Sequence, residues 1–290
     1  MIVFTLIGFF ISSNVLNQAR EQLKIIEKEA KNSIDKIKTE AKEETNKLIE
    51  ENNKNIQEYN LFNLGIQAAN SKDYKLAIYY FNEVIKLNSK NYQAYNNIGN
   101  IKFALGQKED AIKNYDKSIE LNYNNNIDAY YNRGIAKAKS DKYNEAIEDY
   151  NKAIELNTDF AEAYNNRGIA KYNLANGKNE IEYNELLNSA IKDYDKSIEL
   201  NNDYYETYYN RALASSNLAN SKIRQNKVEE YNQLINEAYN DFEIACKLAN
   251  NELKKEMERQ LISLANNGNE ASIEFCKKYN INYNNNDNKE

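Results

Sequence analysis

The sequence predicts an all-α protein in which a solenoid of helical hairpins follows one long amphipathic helix. Its 290 residues include no Pro, His or Trp and only 8 Gly, and 28% are charged. This composition favours long helices over turn-rich sheets. A motif recurs at a period close to 34 residues, which is typical of stacked helical repeats. Ahead of the repeats, apolar residues recur at helical spacing among Lys and Glu.

The composition also argues against several classes of function. The net charge of -6 gives no basic surface for displacing counterions from a nucleic acid. Without His, the usual general base and the commonest zinc ligand are missing. The sequence also has no Gly-rich phosphate loop or nucleophile paired with a base. We therefore expect no catalysis, no cofactor, no metal and no nucleic-acid partner.

Cys246 and Cys276 are the only two cysteines, and their spacing is not that of a metal or redox motif. Two thiols exclude a disulfide framework. Because Cys246 stands where sister repeats place Ile, we interpret it as a buried structural thiol. A disulfide in an oxidising compartment is the alternative.

The repeated motif is a small residue followed, twelve positions later in the first three copies, by Ala and then by an aromatic residue four positions further on. Successive small residues are 34, 35, 34 and 44 positions apart, and insertions of 10 and 14 residues separate the parts of the last two copies. Small side chains let two helices approach closely, and the aromatic ring fills the space between them, so each copy predicts a helical hairpin. The copies are Gly65 with Ala77 and Phe81, Gly99 with Ala111 and Tyr115, Gly134 with Ala146 and Tyr150, Gly168 with Ala190 and Tyr194, and Ala212 with Ala238 and Phe242.

This pattern resembles the tetratricopeptide repeat (TPR), which also has an aromatic residue in its first helix, here Tyr95, Tyr130, Tyr164 and Tyr208. The Pro that is usual after the second helix is absent, and Leu61 replaces the first aromatic residue. We expect the Asn-rich connectors to end the helices instead, through left-handed backbone and side-chain bonds to the main chain. The resemblance implies five units, at 58–91, 92–125, 127–160, 161–204 and 205–251, then capping helices at 252–280 and a disordered tail at 281–290.

The resemblance also implies a concave groove lined by the first helices, in which the residue two positions before each small residue faces a ligand. That residue is Asn in every unit, and in TPR proteins that hold extended peptides such a ladder bonds the peptide backbone. The alternative is that Asn merely belongs to the repeat consensus of an Asn-rich chain. The ladder is Asn63, Asn97, Asn132, Asn166 and Asn210; its neighbours are Phe62, Asn96, Tyr131, Asn165 and Tyr209; and Asp128, Glu162 and Glu206 form an acidic rim.

The acidic rim predicts a neutral or basic ligand segment. Some TPR proteins bind chaperone C-termini through a clamp of basic residues, but Phe62, Asp128 and Asn132 occupy positions where that clamp needs Lys or Arg. Arg133, Arg167 and Arg211 precede the small residue in three units. We interpret them as structural, each reaching a carboxylate or helix end of a neighbouring hairpin, rather than as a phosphate-binding row.

The N-terminus predicts a membrane anchor at 1–16, a nearly continuous apolar segment. Sixteen helical residues reach about 24 Å against a hydrocarbon core of ~30 Å. A signal anchor is favoured over a cleaved signal peptide because no basic residue precedes it and no small-x-small site follows. Arg20, Lys24 and Lys28 come after it, which favours a cytoplasmic repeat domain and leaves a periplasmic one open.

Residues 17–57 predict one long amphipathic helix whose apolar stripe recurs every eleven residues. This period corresponds to 3.67 residues per turn, so the helix is expected to be straight or to wind right-handedly around a partner. An oligomerising stalk over residues 15–57 is the favoured interpretation. A single helix that folds back on the repeats or lies on lipid is the alternative. The stripe comprises Val15, Ala19, Leu23, Ile26, Ala30, Ile34, Ile37, Ala41, Thr45, Leu48, Asn52 and Ile56.

Together these patterns predict a non-enzymatic, membrane-tethered scaffold that holds a peptide or partner protein in its groove. The alternative is a self-assembling envelope spacer with no specific peptide ligand.

Overall fold

The computed structural model describes residues 2–266, 268 and 270–282. These residues form helices and connecting loops without a strand, so the all-α prediction is confirmed. The helices are α1 (Ile2–Asn70), α2 (Tyr74–Leu87), α3 (Tyr92–Ala104), α4 (Lys108–Leu121), α5 (Ile127–Ala138), α6 (Tyr143–Leu156), α7 (Ala161–Ala175), α8 (Glu180–Leu200), α9 (Tyr205–Arg224), α10 (Val228–Leu248), α11 (Asn251–Asn266) and α12 (Glu270–Lys278).

The chain divides into two compact units, Met1–Asn63 and Leu64–Glu290. The first unit is the greater part of α1, which runs without a break through positions 16 and 57, where the sequence suggested boundaries. Among the described residues, no helix is both long enough and apolar enough to cross a membrane. The predicted anchor falls largely outside the described side chains, which begin at Asn14.

In the second unit, a contact between glycine and an aromatic ring sets the distance between the two helices of the first four hairpins. A Cβ atom added to Gly99 would lie 2.5 Å from Cε1 of Tyr115, and one added to Gly134 would lie 2.7 Å from Cε1 of Tyr150. Real Cβ atoms do not approach a ring this closely, so any side chain here would force the helices apart. Gly65 with Phe81 and Gly168 with Tyr194 repeat the contact.

Asparagine does end the second helices, but not through left-handed backbone. Asn88, Asn157 and Asn201 have φ values of -138°, -143° and -147° at the ends of α2, α6 and α8. Their side-chain oxygens instead accept from the backbone N–H two residues further on, at 3.0 to 3.2 Å. Extended backbone suffices because the side chain supplies the turn bond. The predicted side-chain bonding is confirmed, and the predicted left-handed geometry is wrong at these sites.

Left-handed residues instead occur inside the hairpins, between the first and second helix. Gly106, Asp141 and Gly177 have φ values of 76°, 58° and 79°. Other asparagines begin helices: Asn91 and Asn179 accept from the N–H groups three residues later, at 2.9 and 3.0 Å. Such N-caps satisfy backbone donors that an isolated helix start would leave without partners.

The two insertions lengthen helices in the last two hairpins. Helices α8 and α10 have 21 residues each, whereas α4 and α6 have 14. Beyond α10, Met257 packs with Tyr208 and Ala245, while Leu261 and Phe275 pack with Phe242. Helices α11 and α12 thus cover apolar side chains of the fifth hairpin. The predicted disordered tail begins at 281, and residues 283–290 lie outside the described part.

Both thiols are free, with Cys276 buried and Cys246 half-buried. Cys246 packs at the edge of the cluster around Met257. Burial raises the pKa of both thiols, which keeps them protonated and poorly nucleophilic at neutral pH.

Candidate functional site

The first helices of successive hairpins form one continuous surface. Helix α3 contacts α5, α5 contacts α7, and α7 contacts α9. In a curved stack, helices on the inner side approach the next hairpin's equivalent helix more closely than those on the outer side, so α3, α5, α7 and α9 line the concave surface. We call this surface of the second unit the groove.

The predicted ladder amides lie in the groove and are half-buried. Nδ2 of Asn132 donates to Oδ1 of Asn100 at 3.0 Å, and Nδ2 of Asn166 donates to the hydroxyl of Tyr131 at 2.9 Å. Nδ2 of Asn210 donates to Oδ1 of Asn165 at 3.1 Å. Each of these bonds connects a first helix to the first helix of another hairpin, so the ladder contributes to the stacking.

Asn97 is bonded differently from the other ladder residues. Its Nδ2 donates to the backbone carbonyl of Gln93, one turn earlier in the same helix, at 3.0 Å. The first predicted pair, Phe62 and Asn63, belongs to the other compact unit. The groove of the second unit therefore contains four of the five predicted ladder residues.

The residues beside the ladder differ in how far they are exposed. Asn165 is only 2% exposed, so it forms part of the groove floor. Tyr131 is half-buried, with its ring 4.7 Å from that of Phe160, and burial raises its pKa to about 12. The Tyr209 hydroxyl donates to Oε1 of Gln260 on α11 at 2.6 Å. The capping helix thus bonds to the groove at the fifth hairpin.

A hollow of about 320 Å³ opens in the groove between α7, α9 and α11. Asn166 and Asn210 lie in its wall together with Tyr205, Glu206 and Met257. Amides, aromatic rings and a carboxylate therefore face the same space. A second hollow of similar size lies between the N-terminal ends of α3 and α5, where Asn96 and Asp128 are among the lining residues.

The acidic rim has no cationic partner among the described residues. The ion pairs of the array involve other carboxylates, such as Asp149, Asp193 and Asp241. Asp128 and Glu162 are exposed. All three rim residues occupy the first turn of α5, α7 and α9, where a carboxylate also stabilises the helix dipole.

The arginine row is structural, as the sequence suggested. Arg133 donates from Nε and Nη2 to both oxygens of Asp149, at 2.9 and 2.5 Å, and from Nη1 to Asp116 of the preceding hairpin at 2.6 Å. Arg167 bonds Asp193 and Asn151 in the same way, and Arg211 bonds Asp241 and Asp195. Each guanidinium also lies 5.2 to 5.8 Å from the ring centre of Tyr130, Tyr164 or Tyr208.

The sequence placed Asn100 among the groove positions beside the ladder, but two other groups in the groove, Asn217 and Gln260, were not identified from the sequence. Asn100 accepts from both Asn132 and the hydroxyl of Tyr115, at 3.0 and 2.9 Å. Asn217 donates to the hydroxyl of Tyr172 at 2.6 Å. Gln260 lies on the capping helix α11, outside the repeats, so the repeat pattern could not identify it.

The comparisons with known proteins agree with this geometry. A family model described as TPR repeat matches residues 99–141 and 138–174. The chain contains tetratricopeptide repeats. The match begins at Gly99, within α3, and extends to Leu174, within α7. No curated protein sequence matches the chain significantly.

Solved TPR structures share the fold over most of their length. The crystal structure of MamA is 22% identical, with a TM-score of 0.52, over 66% of this chain and 94% of that one. YrrB, described as a TPR protein with an unusual peptide-binding site, is 19% identical, with a TM-score of 0.51, over 69% of this chain and 95% of its own. MamA 41-end from Desulfovibrio magneticus RS-1 is 16% identical, with a TM-score of 0.51, over 65% and 94%. At these identities the likeness establishes the TPR solenoid fold.

Proposed function

We propose that the second unit is a non-catalytic scaffold that holds an extended segment of a partner protein along Asn97, Asn132, Asn166 and Asn210. The observation that carries this proposal is the recurrence of a half-buried amide at one position on four successive first helices. Structural bonding explains part of this recurrence, but it leaves bonding capacity unused. An extended chain presents alternating N–H and C=O groups that match this capacity.

The unused capacity follows from the chemistry of the amide. Each Nδ2 has two hydrogens, and Asn97, Asn166 and Asn210 use one of them. Asn132 uses both, donating to Oδ1 of Asn100 at 3.0 Å and to Oδ1 of Asn96 at 3.5 Å. The second hydrogen of the first three amides, and the carbonyl oxygens of Asn97, Asn132 and Asn210, can still pair with a peptide backbone. Oδ1 of Asn166 already accepts from Nδ2 of Asn165 at 3.5 Å and keeps one lone pair for a ligand. Because main-chain groups are the same in every sequence, such pairing fixes a segment in place without selecting its side chains.

We assign the selectivity for particular side chains of the bound segment to the residues around the ladder. Tyr131 and Tyr209 offer aromatic surfaces to apolar side chains of the segment. Asp128, Glu162 and Glu206 give the rim a negative potential that favours Lys and Arg and disfavours Asp and Glu. The proposed ligand is therefore a neutral or basic segment with spaced apolar residues.

The second candidate function is a spacer that binds no peptide, and one observation favours it. Three ladder amides already bond a first helix of another hairpin, so stacking alone could account for them. The two candidates differ in what the loss of the amides does. A spacer loses some stability, whereas a peptide scaffold also loses its ligand.

The test is selection of a random peptide library on the full chain, in parallel with Asn97→Ala/Asn132→Ala/Asn166→Ala. The matched control is Asn114→Ala/Asn144→Ala/Asn188→Ala, which removes amides from the second helices α4, α6 and α8. Neutral or basic peptides should be enriched on the full chain and on the control, and should bind the ladder variant at least tenfold more weakly.

Equal binding of the enriched peptides by all three proteins would contradict the scaffold. Failure of any peptide to be enriched on the full chain, together with a ladder variant that is less stable than the control, would contradict the scaffold and support the spacer. Circular dichroism of each variant separates a loss of binding from a loss of folding.

We also propose that residues 1–16 attach the protein to a membrane and leave the repeats on the cytoplasmic side. The support is the apolar sequence of this segment and the basic residues that follow it. Flotation of the full chain with lipid vesicles, compared with a chain beginning at residue 17, tests attachment. Equal flotation of both chains, or of neither, would contradict it.

A further inference from the structure

The first unit has an apolar stripe with no partner in its own helix. The stripe residues at the eleven-residue spacing are strongly exposed: Val15 60%, Ile26 62%, Ile37 64% and Leu48 60%. Such a row is too regular to be scattered surface residues, and one helix cannot bury its own stripe.

The charges beside the stripe are separated by sign. At 3.67 residues per turn, two outer rows lie about 100° to either side of the stripe's centre. One row contains Arg20, Lys31 and Lys42, and the other contains Glu29, Glu40 and Glu51.

The rows immediately beside the stripe contain fewer charges. Lys38 and Glu27 lie on the basic side, and Glu44 lies on the acidic side. Taking both rows together, one side has four cations and one carboxylate, and the other has four carboxylates and no cation. Alternating charges that served only for solubility would not be divided in this way.

This division selects the orientation of a second helix. When two identical helices pair in parallel, the left side of one meets the right side of the other. When they pair antiparallel, like sides meet. A parallel pair here therefore places cations against carboxylates along its whole length, whereas an antiparallel pair places carboxylates against carboxylates.

Two features of the stripe favour the same arrangement. Small residues, Ala19, Ala30 and Ala41, occupy its centre and permit close approach of the helices. The next member of this row is Asn52. In a parallel pair in register, Asn52 meets its own copy, and the two amides can bond each other. Opposite an alanine, its polar groups would be left without partners. A single buried Asn of this kind fixes register in coiled coils.

We propose that residues 15–56 of α1 form a parallel, in-register interface with a second copy of this chain. The interface is isologous, because each helix contributes the same surface. It aligns the two copies of residues 15–56 in the same direction, residue against the same residue. The proposal is independent of the groove, so either can fail without the other.

Cysteine cross-linking of the full chain tests the orientation. Ala19→Cys and Ala41→Cys are made as separate variants, with Thr39→Cys on the opposite face of the helix as the control. The unchanged chain, with its two natural thiols, gives the background. Under mild oxidation, each alanine variant should form a disulfide-linked dimer by itself, and the control should stay at background.

The logic of this pair of variants is geometric. An antiparallel pair can place one residue beside its own copy, but not two residues that are 22 positions apart. Self-linking of only one variant, or linking that appears only when the two variants are mixed, would overturn the parallel interface. A chain that sediments as a monomer at all concentrations would overturn self-association itself.

Charge exchange provides an independent measurement. Glu29→Lys/Glu40→Lys/Glu51→Lys makes both sides basic, and Arg20→Glu/Lys31→Glu/Lys42→Glu makes both sides acidic. Each variant alone should self-associate about tenfold more weakly or worse, and an equimolar mixture should recover the affinity of the unchanged chain. A mixture no tighter than its components would contradict the pairing of unlike sides.

Discussion

The second hairpin and the three that follow it use one backbone design with different interior chemistry. In the second hairpin, Ile98 directly precedes Gly99 on α3, and Asn114 directly precedes Tyr115 on α4. In α5 and α6, Arg133 and Asp149 occupy these two positions and form a two-pronged ion pair. The fourth and fifth hairpins repeat this pair.

The comparison separates what defines a hairpin from what is added to it. Gly99 against Tyr115 and Gly134 against Tyr150 are nearly the same contact, so close approach of the helices does not depend on the ion pair. The arginine adds a bond to the preceding hairpin through Nη1, as between Arg133 and Asp116. The later hairpins are thus linked to their neighbours by arginine hydrogen bonds, to a carboxylate from Arg133 and Arg211 and to an amide from Arg167, as well as by packing.

The largest effect is expected when one partner of the ion pair is removed. Asp149→Ala leaves Arg133 and Lys137, whose side chains are 17% and 12% exposed, without their shared carboxylate. Breaking a buried pair in this way should cost about 3 kcal/mol of unfolding free energy. The matched change Asn114→Ala in the second hairpin should cost less than about 0.5 kcal/mol.

Urea unfolding of the full chain measures both changes, with hydrogen exchange of α5 and α6 to localise the loss. Equal costs for Asp149→Ala and Asn114→Ala would show that the ion pair does not distinguish the two regions.

Replacing both Arg133 and Asp149 should lower the free energy of unfolding less than Asp149→Ala alone. Arg133→Ile/Asp149→Asn places the residue types of the second hairpin in the third, where Lys137 already corresponds to Lys102. Because no guanidinium remains without its carboxylate, we expect about 2 kcal/mol less destabilisation than with Asp149→Ala. The same urea series measures it. A double variant that is less stable than the single one would mean that the pair stabilises the third hairpin beyond its own charges.

Because the second and third hairpins share the contact between glycine and tyrosine, we expect replacement of the glycine to lower the free energy of unfolding equally in both. Gly99→Ala and Gly134→Ala each bring a Cβ within 2.5 and 2.7 Å of a ring carbon, and overpacking of this kind costs about 1 to 3 kcal/mol. In the fifth hairpin Ala212 packs in the same cluster as Phe242, so an alanine at this position is compatible with a hairpin. Thermal unfolding of both variants checks the equality. A loss confined to one hairpin would contradict the common design.

The smallest effect concerns alkaline pH. Burial raises the pKa of Tyr131 to about 12, whereas the second hairpin has Asn96 at the corresponding position. A folded-state pKa above the unfolded value of about 10 means that this contribution to stability is present below pH 10 and is lost as the pH rises towards 12. Tyr131→Phe should therefore lose less stability than the unchanged chain between pH 10 and 12 in urea unfolding. Parallel losses would contradict the assignment.

The sequence predicted the parts of the fold that repeat. Gly99, Ala111 and Tyr115 recur at fixed spacing because the contact between two helices allows few alternatives at these positions, so one pattern identified every hairpin. The cap geometry at Asn88 was missed because an Asn side chain can end a helix through more than one backbone conformation, and spacing does not distinguish them.

The candidate site was predictable by position but not by bonding. The rule that placed Asn132 and Asn166 in the groove came from the family resemblance. Their bonds to Asn100 and Tyr131 depend on how far successive first helices are displaced, which a single sequence does not state. Gln260 could not be predicted because its place beside Tyr209 depends on how the capping helix turns back.

The central claim is that the groove holds a peptide and that its rim selects the charge of that peptide. The direct measurement is the affinity of the full chain for the tightest peptide from the library selection and for a copy whose basic residues are replaced by Glu. The account predicts at least tenfold tighter binding of the original peptide, and a reversed preference for Asp128→Lys/Glu162→Lys/Glu206→Lys with its fold intact. Equal binding of both peptides by the unchanged chain would contradict it.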